Sequence, residues 1–193
     1  MTETQENPNN RWGREILEII KVLVISLAIV LPIRYYIAQP FIVRGASMEP
    51  NFHDKEYLIV DEVSYLLQEP KRGEAIVFRY PLGPRQFFIK RIIGLPGEGV
   101  DIKNGRVRVI NNAYPEGFVL EEPYLTPPGR ATRPDLRIKL AQGEYFVMGD
   151  NRDFSSDSRV WGTLNKKFIV GRALFRALPV TSLGFVANYA VDY

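Results

Sequence analysis

Apolar residues crowd together between positions 16 and 37 and then, from about residue 40 on, fall into short alternating runs; that change of pattern divides the chain. Residues 1–15 are polar and irregular and read as a disordered tail. From Ile16 the run ILEIIKVLVISLAIVLPIRYYIA reads as a helix, yet only the 12 residues Val22–Ile33 are free of charge. A helix of that length covers about 18 Å, short of the roughly 30 Å of a bilayer core. The span 16–37 is long enough if Lys21 and Arg34 snorkel to the two interfaces, Glu18 pairs with Lys21, and Tyr35 and Tyr36 sit in the interfacial belt. The alternative is a cleaved leader, but Tyr36 is bulky where cleavage after Ala38 needs a small residue. The expectation is an uncleaved transmembrane anchor.

Beyond it the pattern is that of strands. FIVR (41–44), EYLIVDEV (56–63), EAIVFRY (74–80), QFFIKRII (86–93) and EYFVM (144–148) are short, rich in β-branched and aromatic residues, and bounded by Gly and Pro. VDIKNGRVRVI (100–110) carries Asn104-Gly105 between two alternating runs, a strong hairpin signal. Residues 111–138 hold five prolines and little periodicity, which predicts a loop-rich excursion. A short helix is expected around 158–164. The apolar stretch 177–191 is interrupted by Pro179, Gly184 and Asn188, which favours packing or interfacial contact over a second span. The fold class is mainly β, an antiparallel-sheet domain over 38–193 behind the anchor.

Composition narrows the chemistry. The 193 residues contain no cysteine and one histidine, so thiolate nucleophiles, zinc-thiolate sites and disulfides are excluded. A serine hydrolase built from this chain needs a lysine as its base. The net charge of +3 comes from scattered basic pairs rather than a stripe, which argues against nucleic acid as a partner and suits anionic lipid headgroups.

Three blocks hold the candidate residues: GASMEP (45–50), FFIKRIIGLPG (87–97) and GDNRDFSSDSRVWG (149–162). Ser47 follows a predicted strand in a Gly-containing turn whose N–H groups can face a carbonyl oxygen; a serine in such a turn is also ordinary. Period two puts Phe88, Lys90 and Ile92 on one face of their strand. A lone lysine there can be an edge gatekeeper. As a general base it must be neutral, and apolar burial can bring an amine from about 10.4 to about 8. In the third block Asp150, Asn151, Asp153 and Asp157 could ligate calcium, but their spacing is not that of an EF-hand and Arg152 and Arg159 offset them. An Asp157–Arg159 ion pair bracing a site fits better. His53 lies in a polar turn and receives no role.

In this order, behind an N-terminal anchor, the three blocks resemble the bacterial type I signal peptidases (leader peptidases). The resemblance covers roughly residues 38–100 and 143–175. It implies a fold of two antiparallel β-sheet lobes, with Ser47 as nucleophile, Lys90 as general base and Ser155 as the hydroxyl orienting the lysine. It also implies Asp157 and Arg159 as salt-bridged support, with Gly149 and Asp150 opening the block. The substrates implied are exported preproteins cleaved after small residues at −1 and −3. Phe41, Val43, Phe52, Val77 and Ile89 fall at the pocket positions, and the alternation Phe41, Val43, Gly45 supports the first two. No metal or cofactor is implied. The catalytic domain would lie outside the bacterial plasma membrane, with the tail in the cytoplasm. Gly45 stands where many members carry a serine as second oxyanion donor, so a backbone N–H is expected there beside that of Ser47. Phe154 replaces a common asparagine. Two rivals remain: a self-cleaving repressor-type peptidase, which would carry a DNA-binding helix-turn-helix in front, and a tethered β domain that only binds partners.

Overall fold

The computed structural model describes residues 8–32, 39–187 and 189. The chain forms two units, Met1–Ala38 and Gln39–Tyr193.

The first unit is one helix, α1 (Pro8–Pro32). It starts inside the stretch read as an irregular tail, with Pro8 at its first position, where a missing N–H costs nothing. Among the described residues no helix is long and apolar enough to cross a membrane. The physical reason lies in Arg14, Glu15, Glu18 and Lys21, which leave the 11 residues Val22–Pro32 uncharged, about 17 Å of helix. The expected spanning segment 16–37 is therefore not supported, and its last five residues lie outside the described ones. Ile16, Leu17, Ile19, Ile20, Val22, Leu23, Val24, Ile25 and Leu27 of α1 are all exposed.

The second unit is built of antiparallel strands: β1 (Gln39–Ile42), β2 (Tyr57–Asp61), β3 (Ala75–Arg79), β4 (Phe87–Gly94), β5 (Gly99–Lys103), β6 (Arg106–Ile110), β7 (Phe118–Val119), β8 (Leu136–Lys139), β9 (Glu144–Met148), β10 (Leu164–Asn165), β11 (Ile169–Leu178) and β12 (Gly184–Phe185). Two short helices join them, α2 (Ser64–Leu67) and α3 (Ser158–Trp161). The larger sheet runs β1-β2-β11-β3-β4-β9-β10, with β12 on β11, and the smaller one runs β7-β6-β5-β8. The mainly antiparallel β class expected from the sequence is what the chain adopts.

Alternation along β3 and β4 gives the larger sheet two apolar faces. Ala75, Val77 and Ile89 pack with Val43, Met48, Phe52, Leu58 and Val60 on one side. Ile76, Phe78 and Ile92 pack with Tyr145, Val147 and Leu164 on the other. A third cluster fills the space beneath the smaller sheet, where Val100, Ile102 and Val107 meet Ile93, Phe146 and Met148. At the hairpin between β5 and β6, Asn104 (φ 52°) and Gly105 (φ 77°) both take the left-handed conformation that a type I′ turn requires. The excursion at 111–138 is not wholly loop, because it supplies β7 and β8, the two edges of the smaller sheet.

Candidate active site

The turn between β1 and β2 carries Ser47. Two buried side chains anchor it, Met48 and Phe52, which plug the first apolar face, and the Phe52 N–H donates to the Met48 carbonyl at 3.0 Å. Gly45 enters the turn at φ 83°, a conformation costly for other residues. Its N–H donates to Asp54 Oδ1 at 2.8 Å. The donor expected at Gly45 is thus already engaged, which corrects the expectation that it would face an oxyanion.

Lys90 lies in the middle of β4. On one side it pairs with Ile76 of β3; on the other the β9 ladder stops one residue away, at Arg91 and Met148. Past that point residues 149–157 turn out of the sheet and the Ser47 turn occupies their place: the Asn151 N–H donates to the Ser47 carbonyl at 3.0 Å. The Lys90 amine reaches this gap, 2.6 Å from Ser47 Oγ and 2.8 Å from the Ile89 carbonyl. It is 4% exposed. Burial pushes its pKa down from 10.5 to about 8, against the carboxylates of Asp157 and Asp150, which favour the ammonium. The Phe88 ring, 5.5 Å away, favours the ammonium too.

The third block wraps this pair. Asp157 is fully buried and bidentate to Arg159, with both bonds at 2.8 Å, and it accepts the Gly149 N–H at 2.9 Å. Burial alone would raise its pKa; the Arg159 guanidinium and the Gly149 N–H outweigh that and hold it below the usual range. Arg159 also ties the Arg133 and Arg152 carbonyls at 2.6 and 2.8 Å. The ion pair expected from the sequence is therefore present. Ser155 Oγ is buried and makes no hydrogen bond among the described residues, although it lies near enough to help lower the Asp157 pKa. The Lys90 amine bonds to Ser47 and Ile89, not to Ser155.

Gly149 is a glycine for steric reasons. A Cβ there would collide with Ser155 Oγ and the Ser47 carbonyl oxygen, and the second of these is backbone that cannot swing away. Gly149→Ala is expected to displace the Ser47 turn and to lower turnover by about tenfold or more. Steady-state kinetics beside a thermal melt would check it, since the folded fraction should change far less.

Several buried partners escape sequence reasoning. Arg91, 1% exposed, is bidentate to Asp150 at 2.8 and 2.6 Å, reaches the Gly73 carbonyl at 2.7 Å, and stacks 4.2 Å from the Tyr124 ring centroid. Asn51 joins Asp150 at 2.9 Å to the Tyr124 carbonyl at 2.7 Å. Arg152 bonds Glu122, Thr132 and the Gly149 carbonyl. With Asp150 and Asp157 both neutralised by arginine, neither offers a free carboxylate to a cation. His53 is exposed, 4.0 Å from Glu49.

A family model described as signal peptidase, peptidase S26 matches residues 16–178. The chain belongs to that family. Among its relatives is a probable signal peptidase I-1 of Synechocystis sp., 38% identical over 96% of this chain and 94% of that protein. A signal peptidase I of Leptolyngbya laminosa is 37% identical over 88% of this chain and 83% of its own. A crystal structure of a signal peptidase I from Enterococcus faecalis is 29% identical, covering 54% of this chain and 97% of that one at a TM-score of 0.46. Membership makes the chain a peptidase of the S26 family. The five positions at which the family resemblance placed a substrate pocket come together: Val43, Phe52, Val77 and Ile89 share the first apolar cluster, and Phe41 packs on it half-buried.

Proposed function

We propose that this peptidase removes signal peptides from exported preproteins with Ser47 as nucleophile and Lys90 as general base. The observation that carries the reading is the 2.6 Å contact between the Ser47 hydroxyl and a buried amine. A pKa of about 8 leaves about a tenth of Lys90 neutral at pH 7. The neutral amine takes the proton of Ser47 as its oxygen attacks the scissile carbonyl. The tetrahedral intermediate collapses, the Lys90 ammonium protonates the departing amine, and the mature protein leaves. Lys90 then activates a water that hydrolyses the ester and restores Ser47. The Ser47 N–H stabilises the oxyanion. Ser155, whose buried hydroxyl is unpartnered among the described residues while Lys90 rests on Ser47, is the group that orients the amine as it changes charge, on a segment braced by Asp157–Arg159, Gly149 and Asp150. The apolar cluster of Phe41, Val43, Phe52, Val77 and Ile89 is the wall that selects small side chains at −1 and −3.

Substrates of this kind emerge at a membrane, and the exposed apolar surface of α1 suits attachment to lipid. The peptidase unit then faces the extracytoplasmic side of the plasma membrane, where preproteins present their cleavage sites.

The test is cleavage of a purified preprotein with an Ala-x-Ala site by the full-length protein in detergent, with the product mass fixing the bond cut. A product cut elsewhere, or none, defeats the reading. When chemistry limits the rate, kcat should rise about tenfold per pH unit up to about pH 8 and level off above it, because only the neutral amine accepts a proton. A flat profile from pH 5 to 9 removes Lys90 as the base.

A further inference from the structure

Asn151 lies in the GDNR segment, and the mechanism above gives its side chain no task. It is 9% exposed, and its two nitrogens grip consecutive carbonyls of the Ser47 turn. Asn151 Nδ2 donates to the Ala46 carbonyl at 3.0 Å, and its main-chain N–H donates to the Ser47 carbonyl at 3.0 Å. The peptide between Ala46 and Ser47 is planar and trans, so its C=O and its N–H point in opposite directions. Whatever holds the Ala46 oxygen therefore aims the Ser47 N–H. The Glu49 N–H also reaches that oxygen, at a longer 3.2 Å. The Ser47 N–H itself has no hydrogen-bond partner among the described residues, and Gly45 and Ala46 beside it are exposed. Gly45 cannot share the work, its N–H being held by Asp54.

The geometry points to Asn151 as the positioning residue of the oxyanion site, acting on the substrate only through the Ala46–Ser47 peptide. This rests on Ser47 being the nucleophile. Asn151 Oδ1 is buried without a partner, so the side chain is an asparagine for its donor and not for its acceptor. An apolar residue of the same shape would remove the orphaned oxygen while abolishing the donor. The main-chain bond from residue 151 to Ser47 would persist in any variant, which keeps the turn in place and isolates the side chain's effect.

The experiment compares full-length wild type, Asn151→Leu and Asn151→Ala in preprotein cleavage and in binding an Ala-x-Ala peptide aldehyde, whose adduct with a serine carries an oxyanion. Loss of aim should lower kcat about tenfold to hundredfold, leave KM within about twofold, and weaken the aldehyde by the same factor as kcat/KM. The acid limb of the pH profile should stay where Lys90 puts it. A merely structural asparagine would instead lower the thermal midpoint and spare the ratio of aldehyde to substrate affinity. Unchanged kcat in both variants, a loss confined to KM, or an unchanged aldehyde affinity overturns the proposal. If Ala truncation loosens the fold, the Leu variant decides. Failure of the wild type to bind the aldehyde refutes the Ser47 reading and not the aim of its peptide.

Discussion

Lys90→Met is expected to yield a protein that is inert and more stable than the wild type. Removing the amine takes away the base that lies 2.6 Å from Ser47 Oγ, and loss of one member of the proposed pair should lower kcat by at least about 10³-fold. Lys90→Arg should be equally inactive, because a guanidinium keeps its proton. The stability change has the opposite sign. Lowering the Lys90 pKa from 10.5 to about 8 corresponds to a penalty of about 3 kcal/mol for holding the ammonium inside the fold. Below pH 8 the amine is charged in both folded and unfolded chains, and the penalty is present in full. Between about 8 and 10.5 the unfolded chain binds a proton that the folded one does not, so the stability of the wild type rises with pH. Methionine, of similar length and uncharged, escapes the penalty. The variant should gain up to about 3 kcal/mol at pH 7, less the hydrogen bonds it gives up, and the gain should shrink towards pH 10.5. Denaturant midpoints of both proteins at pH 7 and pH 10, beside turnover, test the two halves separately. Turnover of Lys90→Met within tenfold of the wild type removes the base; a stability difference that ignores pH removes the buried charge.

That charge was legible because β4 obeys period two: Phe88, Lys90 and Ile92 share a face, and a lysine between two apolar neighbours is either at an edge or enclosed. β5 and β6 were legible for the same reason, while β2, β3 and β9, which are nearly continuous apolar runs, were legible from their β-branched and aromatic residues bounded by Gly and Pro. β11 was not. It runs through the centre of the larger sheet, yet its register shifts at Ile169–Gly171, Ala173–Phe175 and Arg176–Leu178. Those irregularities break the alternation, and Arg172 and Arg176 reach Asp61 and Glu56, more than a hundred positions earlier in the chain. β7, two residues long, is too short to show a period, and the alternation of β8 is confined to four residues that follow a proline-rich stretch. Around the site, what local pattern conveys is residue type and order: Ser47, Lys90, Asp157 and Arg159 stand inside recognisable blocks. What it cannot convey is why Arg91 is buried, since its partner Asp150 lies 59 residues away and on another strand's exit. The charges of α1 had the opposite effect: snorkelling lengthened the expected span on paper, while the helix itself retains Glu15, Glu18 and Lys21 along it.

Asp150→Asn is expected to damage stability and shift the chemistry in a way no surface change would. Asp150 and Arg91 are 0% and 1% exposed, and their two hydrogen bonds join β4, next to Lys90, to the segment that carries Asn151 and Ser155. Neutralising the carboxylate strands the guanidinium in the interior, a loss of about 3–5 kcal/mol for a broken buried pair. The same carboxylate pulls the Lys90 pKa upward, so its removal should move the acid limb of the rate profile below pH 8 in whatever fraction stays folded. Asp153→Asn is the control: its bond to Arg130 is exposed, and about 0–1 kcal/mol should be lost. The double variant Arg91→Met, Asp150→Leu removes both charges and should recover much of the stability, because the penalty belongs to the unpaired ion rather than to the absence of the pair. Equal denaturant midpoints for Asp150→Asn and Asp153→Asn would show that the buried pair does not hold the third block against the sheet. An acid limb that stays at pH 8 in Asp150→Asn would show that Lys90 is insulated from it.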